Sequence, residues 1–363
     1  MKILVTGNMG YVGPGVVKHL RQAFPDATLV GFDMGYFAPH LTNALVLPES
    51  RLDVQIFGDV RTITADVFDG VDAVVHLAAI SNDPMSNKYE AITLDINHRS
   101  SVKIAEMAKQ AGVSSFIFAS SCSMYGAAED GPKTETSTLN PLTAYARSKV
   151  MTEQDIRGYA DSNFVVTCLR FATACGMSER LRLDLVLNDF VAGAVATGKI
   201  NILSDGSPWR PLIHVKDMAR AIEWAVKRPA AQGGEFLAIN TGSSEWNYQV
   251  KDLAEAVVKQ IPGTTLTLNP DAPPDKRSYR VNFNLFKELA PDHLPVYSLQ
   301  QAIAELYEGL QAMQFRDGDF RNSLLMRLKV LTSLQETKKI DDQLVWTDRA
   351  VNVAKKPSLA TAN

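Results

Sequence analysis

Cysteine is scarce in this chain. Only Cys122, Cys168 and Cys175 occur among 363 residues, and their spacing matches neither a disulfide framework nor a zinc site. No metal is therefore expected, and a reducing cytoplasm is the natural compartment. Long apolar runs are also missing: Met1–Thr6 is too short to span a membrane and lacks the form of a secretion signal. Nor does one sign of charge dominate. The formal net charge of −3, from 37 basic and 40 acidic residues, argues against a broad surface for nucleic acid or membrane. Internal repeats and low-complexity segments are absent. Hydrophobic residues, by contrast, make up 46% of the chain, enough for a large core with one nucleotide-binding domain and a smaller companion.

The first apolar run, Ile3-Leu4-Val5-Thr6, leads directly into Gly7-Asn8-Met9-Gly10-Tyr11-Val12-Gly13. Val16-Val17-Lys18-His19-Leu20-Arg21 follows with helical spacing, and Pro14 suits a helix's first turn, where its missing N–H has no partner to lose. The segment reads as strand, tight turn and helix. The amides of such a turn and the positive end of the helix macrodipole hold a pyrophosphate, whose approach a Cβ at the glycines would obstruct. Gly7, Met9, Gly10, Tyr11, Val12 and Gly13 are thus candidate cofactor contacts. The spacing is G-x-x-G-x-x-G rather than G-x-G-x-x-G, so the turn alone is weak evidence. Thr28-Leu29-Val30-Gly31-Phe32-Asp33 adds a second strand whose final acid, about twenty residues past Gly13, would hold a ribose 2′-hydroxyl. Asp33 would repel the 2′-phosphate of NADP, and no arginine follows it closely, so the pattern favours NAD.

Two more strands border the same site. Val54–Val60 places Asp59 and Val60 near the adenine, and Ala73–Ala79 places Leu77, Ala78 and Ala79 against the dinucleotide, because ligands of an open parallel sheet lie beyond its strands' carboxyl ends. His76, in an apolar run, reads as a core histidine. A fifth strand, Ser115–Ala119, empties into Ser120-Ser121-Cys122-Ser123-Met124-Tyr125-Gly126 and brings hydroxyls to that rim. Downstream, Tyr145-Ala-Arg-Ser-Lys149 sets a phenol and an ammonium one turn apart on a helix face. An adjacent cation favours the phenolate, and moving a phenol from about 10 to about 7 takes ~4 kcal/mol. A lowered Tyr145 pKa is the expectation.

These motifs, with Leu169-Arg170-Phe171 and Trp209-Arg210-Pro211-Leu212-Ile213-His214-Val215-Lys216-Asp217, resemble the extended short-chain dehydrogenase/reductase family over about residues 1–310. Within it the chain is most similar to the nucleotide-sugar epimerases, dehydratases and reductases. The resemblance implies an NAD cofactor and a nucleotide-diphosphate sugar as substrate. It makes Ser121 the hydroxyl that binds the reacting sugar oxygen and Tyr145 the base or acid. Lys149 would bind the nicotinamide ribose and hold Tyr145 low in pKa, and Asn97 would shape the active-site helix. Arg210 and Asn188 match positions that contact the substrate's diphosphate or nucleotide. Arg277, Ser81, Cys122 and Ser123 are further candidates for the substrate pocket, and His214 is expected to partner Asp217. By analogy, helices at 102–108 and around Tyr145 form a homodimer interface.

The residues beside Ser121 bear on which reaction follows. Dehydratases of the family place Asp-Glu after the catalytic hydroxyl, whereas this chain has Cys122-Ser123. Epimerases acting at C3 or C5 resemble it in having a nearby cysteine, but one position later, at Ser123. A one-residue offset reverses a side chain's direction on a strand, which puts Cys122 in doubt as a base. The remaining reading is oxidation at C4, rotation of the keto sugar and hydride return: a C4 epimerase. Alternatives are a nucleotide keto-sugar reductase using NAD(P)H, a C3/C5 epimerase, or a non-enzymatic NAD-binding sensor or scaffold.

The fold class expected is α/β, a Rossmann-type doubly wound parallel sheet with a smaller α/β substrate-binding domain. Residues 1–170 would form the NAD-binding domain, with returning segments near 210–245, and 171–310 mainly the substrate-binding domain. Residues 311–363 read as an extension, helical around Leu324–Leu331 and loose from Ala354.

Overall fold

Alternation along each central strand divides the core in two. In Ile3-Leu4-Val5, the outer pair joins one buried cluster with Leu29, Val75, Ile117 and Leu169, while Leu4 joins the other with Val30, Val74, Phe116 and Phe118. A sheet covered on both faces follows from this pattern, and its strands read as continuous apolar runs. The computed structural model describes residues 1–128, 131–202, 204–269 and 277–347. Leu203 and the tail from Ala354 lie outside the described residues.

Six strands arise in the first half: β1 (Lys2–Thr6), β2 (Thr28–Asp33), β3 (Val54–Phe57), β4 (Ala73–His76), β5 (Ser115–Ser121) and β6 (Val165–Phe171). With Phe236–Thr241 they make a seven-stranded parallel sheet in the order Phe236–Thr241, β6, β5, β4, β1, β2, β3. The chain winds outward in both directions from β1. The crevice beyond the carboxyl ends of β1 and β4 is therefore the sheet's switch point, where ligands of such folds bind.

The second half builds smaller sheets beside that crevice. Trp209–His214 pairs in parallel with Thr173–Cys175 and antiparallel with Asn247–Gln249, and Lys199–Ile202 pairs with Thr265–Leu268. Of the segments expected to return near 210–245, Phe236–Thr241 joins the main sheet beside β6, whereas Trp209–His214 stays with the smaller sheets. The helix Val215–Lys227 does come back, against α1 (Gly13–Ala23). The helix expected around Leu324–Leu331 runs instead over Arg327–Glu336, because Phe320–Asn322 forms a 3₁₀ turn and Ser323 Oγ accepts from Leu325 N–H at 3.2 Å. Among the described residues no helix is long and apolar enough to cross a membrane.

The helix that carries Tyr145, Ala144–Ile156, is capped by Thr143, whose side chain accepts from Ala146 N–H at 3.2 Å. A buried ion pair anchors its far end. Arg170 of β6 forks onto Glu153 at 2.7–3.1 Å, and Ser120 Oγ donates to the same carboxylate at 2.5 Å. The two charged side chains are 8% and 6% exposed, so removing one leaves the other buried without compensation. Arg170→Ala is expected to lower the unfolding free energy by about 3–5 kcal/mol in urea denaturation. Arg99→Ala, which breaks only a surface pair at 3.6 Å, is expected to cost less than about 1 kcal/mol.

Candidate active site

The glycine turn after β1 divides its labour. At Gly7, whose φ is +76°, a Cβ would stand 2.6 Å from the Ala78 nitrogen, and at Gly13 it would stand 2.0 Å from the Asn8 carbonyl oxygen. These two glycines are required by neighbouring backbone. All three glycines border the cleft, but a Cβ at Gly10 would meet only the Gly7 oxygen, at 3.3 Å. The requirement expected at all three positions for ligand approach thus falls on Gly10, for a reason of packing at the other two. No side chain caps the start of α1, so its first-turn amides and positive dipole end suit an anion.

Asp33 closes the turn from β2. Its Oδ2 accepts from Met9 N–H at 2.9 Å and its Oδ1 from Gly35 N–H at 2.7 Å, which leaves a lone pair on each oxygen for ribose hydroxyls. Burial nevertheless raises its pKa. Asp59 and Val60 border the cleft, and the Asp59 carboxylate is held by the Arg61 guanidinium at 2.6–3.0 Å. Tyr11, Val12, Leu77, Ala78 and Ala79 border it as well, whereas Met9 is buried off the cleft with its N–H given to Asp33. Asn97 does not reach the cleft. Fully buried in a π-helical turn over Asp95–Arg99, it accepts from Ile80 N–H at 2.8 Å, donates to Ile80 O at 2.9 Å and donates to Ser148 Oγ at 3.3 Å. It ties the exit of β4 to the Tyr145 helix.

Ser121, Tyr145 and Lys149 all border the cleft, and Ser121 is close enough to the Tyr145 hydroxyl to influence its titration. Ser121 Oγ also accepts from Ser123 N–H at 3.1 Å. Lys149 Nζ donates to Ala119 O at 2.7 Å and lies 5.5 Å from the Tyr145 ring centre. The expected lowering of Tyr145 does not occur. Burial raises its pKa, and the neighbouring Ser121 side chain opposes this only in part. Burial also pulls Lys149 down to about 7, so its charge is weakened where it would be needed.

The substrate side is more mixed. Ser81, Ser123, Arg210 and Arg277 border the cleft, and Ser123 Oγ is buried with no protein partner. Arg277 Nη1 reaches Asp83 Oδ2 at 2.5 Å, and Arg210 Nη1 donates to Trp209 O at 2.9 Å. Cys122 faces away: it is fully buried, its thiol donates to Arg170 O at 3.0 Å, and burial pushes its pKa up. Its place among the pocket candidates is corrected: the 3₁₀ turn Cys122–Tyr125 that follows β5 buries Cys122 in the core and leaves Ser123 at the cleft. Asn188 is also fully buried and off the cleft. Its side chain is engaged by Gly176 N–H at 3.1 Å, Tyr11 OH at 3.0 Å and Arg182 O at 2.9 Å. His214 stacks on Tyr297 at 4.1 Å and lies 2.9 Å from Glu305, whereas Asp217 accepts from Val296 and Tyr297 N–H. His76 is a core residue, bonded to Thr6 and Ser101.

The candidate residues included none from 182–184 and none from beyond 310. Arg182, Asp184, Met326, Arg327, Leu331 and Leu344 all border the cleft, which encloses about 1000 Å³. Arg180-Leu-Arg-Leu-Asp184 carried a signal, three charges inside an apolar stretch. Arg327 carried none, since only the fold brings it near the turn.

Residues 3–242 match the model of a family described as the NAD dependent epimerase/dehydratase family. A UDP-glucose 4-epimerase of Erwinia amylovora is 28% identical over 286 residues, covering 73% of this chain and 84% of the relative. One of Pasteurella multocida is 29% identical over 290 residues, covering 71% and 82%. Among solved structures, the UDP-glucose-4-epimerase of Stenotrophomonas maltophila with bound NAD and formylated UDP-arabinopyranose superposes with a TM-score of 0.73. It is 21% identical and covers 86% of this chain and 99% of that one, a likeness of fold.

The lowered lysine has a signed consequence for stability. The folded value of about 7 lies below the ordinary 10.5, so between those limits the unfolded chain holds the proton more tightly. Stability attributable to Lys149 therefore rises with pH across about 7 to 10.5 in nucleotide-free protein, and Lys149→Met is expected to remove that rise in denaturation series.

Proposed function

The chain belongs to the NAD dependent epimerase/dehydratase family, and from that premise we propose that it inverts C4 of a nucleotide-diphosphate sugar through a transient 4-keto sugar. Its cofactor is NAD. The residues present fit that group: open first-turn amides at α1, Gly10 at the cleft surface, and Asp33 with lone pairs to spare at the end of β2. When bound, NAD supplies the redox chemistry, taking a hydride from the sugar carbon and returning it. The chain's own residues manage the proton and the geometry. Tyr145 exchanges the sugar hydroxyl's proton at its phenolic oxygen, and Ser121 orients that oxygen and stabilises it as carbonyl character develops. Lys149, fixed on Ala119 O, positions the ribose beside them.

One observation favours C4 inversion over elimination or C3/C5 chemistry. Among the described residues bordering the cleft there is no histidine, no cysteine and no glutamate, and every aspartate is already engaged. Asp59 is held by Arg61, Asp83 by Arg277, Asp184 by Arg182, Asp189 by Arg321, and Asp33 by two backbone amides. Eliminating water or enolising a ketone needs a further acid or base at the neighbouring carbon. Tyr145 with Ser121 can serve one oxygen, which is what oxidation and re-reduction at a single carbon require. The names of the relatives support a uridine nucleotide.

Incubation with a panel of UDP-hexoses in heavy water, read by NMR, is expected to give the C4 epimer with no solvent deuterium in the ring. Deuterium at C3 or C5 would refute simple C4 inversion. Tyr145→Phe is expected to lower kcat by about 10²–10⁴-fold while NAD remains bound. A protein that holds NAD but turns over no sugar, with or without that substitution, would instead be a sensor or scaffold.

A further inference from the structure

Two guanidinium groups at the cleft are only partly engaged. Arg182 gives its Nε to Asp184 at 2.5 Å and its Nη1 to Ser81 Oγ at 2.9 Å. Arg327, at the start of the helix Arg327–Glu336, gives its Nη2 to the Arg180 carbonyl at 2.7 Å and lies over the Phe37 ring at 4.3 Å. Each keeps one nitrogen in reserve: Arg182 Nη2 and Arg327 Nη1 are buried and meet no acceptor. Arg327 as a whole is 2% exposed. A buried donor on a charged group without an acceptor is costly.

The local charge is also unbalanced. Arg180 is paired with Glu49 and Arg182 with Asp184, but among the described residues Arg327 has no carboxylate at ion-pair distance. Burial and the charge of Arg182 draw its pKa down to about 9, the behaviour of a cation that lacks its counter-ion. Both arginines lie close enough to Tyr11, in the glycine turn, for their charges to be felt there, and Phe37 follows Asp33 closely. The group that belongs over that turn and beside that aspartate is a dinucleotide's pyrophosphate.

Arg327 is delivered by a strap, residues 313–347, that lies outside the span matched to the family. The strap is fastened at both ends. Arg321 forks onto Asp189 at 2.7–2.9 Å, while Trp346 Nε1 donates to Met34 O at 2.6 Å, Arg61 to Gln343 O at 2.8 Å and the Tyr36 hydroxyl to Leu344 O. Leu331 borders the cleft between these fastenings, and Leu344 borders it at the second of them. We propose that Arg182 and Arg327 clamp the pyrophosphate of NAD together with the glycine turn, so that the C-terminal strap is part of the cofactor site and slows cofactor exchange. This goes beyond the sugar chemistry and does not depend on which carbon reacts.

The test uses purified holoenzyme, with labelled NAD to follow exchange, and ADP-ribose, adenosine and UDP as competing or binding probes. Arg327→Gln is expected to speed NAD exchange and weaken ADP-ribose by about tenfold to a hundredfold, the range for a charge-assisted hydrogen bond. Adenosine, which has no phosphate, and UDP are expected to bind within about twofold of the parent by the same reasoning. Exchange and ADP-ribose affinity both within that twofold margin would overturn the proposal. So would a loss confined to UDP, which would assign the clamp to the substrate's diphosphate. An equal loss for adenosine and ADP-ribose would overturn it too, by showing displacement of the strap rather than loss of a phosphate contact. Should Arg327→Gln fail to fold, Arg327→Lys keeps the charge and stem without the fork, and a loss of about threefold or more for ADP-ribose alone is required.

Discussion

Where β1 ends, only a glycine fits. The Gly7 α-carbon lies so close to the segment leaving β4 that a methyl group there would overlap the Ala78 backbone. This approach is what sets the exits of two adjacent strands side by side at the switch point of the sheet, and the positive φ of Gly7 turns the chain from β1 into α1. The other fixings build on it. Asp33 binds the turn to β2 through Met9, and Asn97 binds the segment after β4 to the Tyr145 helix through Ile80 and Ser148. The Arg170–Glu153 pair then fixes that helix to β6. The reacting groups are held by a chain of short contacts that starts at one missing side chain.

Burial at the site has opposite effects on its two titrating groups. It raises the phenol of Tyr145 and lowers the ammonium of Lys149, biasing both toward neutrality. A helical spacing of four residues puts such groups on one face, but it does not decide the sign of the shift. Desolvation wins here because both groups are buried, and a lysine near its own midpoint exerts only part of a charge. The Ser121 side chain and, after it, the charge of Arg182 act to lower the Tyr145 pKa, but burial outweighs them.

Local patterns in the sequence revealed the local part of this design. The glycine turn, the acid ending β2 and the Tyr145–Lys149 spacing are properties of short segments, and the central strands announced themselves as apolar runs because both faces of the sheet are covered. Cys122 was decided by register: one step along the chain separates a thiol bonded to Arg170 O from a hydroxyl at the cleft. Asn188 has the composition of a binding residue, yet its hydrogen bonds go to Tyr11 and Gly176, partners that only the fold supplies. Arg327 was illegible for the same reason, since its neighbours Phe37, Arg180 and Arg182 come from distant parts of the chain.

The strap and the proposed chemistry place the same demand on the cofactor. An epimerase that oxidises and then re-reduces its substrate leaves NAD unchanged after each turnover, so rapid exchange offers it nothing. A reductase consumes its reduced cofactor and must admit a new molecule each cycle. A segment fastened to Asp189 at one end and to Met34, Arg61 and Tyr36 at the other opposes such traffic at the adenosine end of the cleft. A paired set of carboxylates points the same way, because it leaves no unengaged carboxylate among the described residues of the cleft to act at a neighbouring carbon. Both features suit a reaction that returns what it takes.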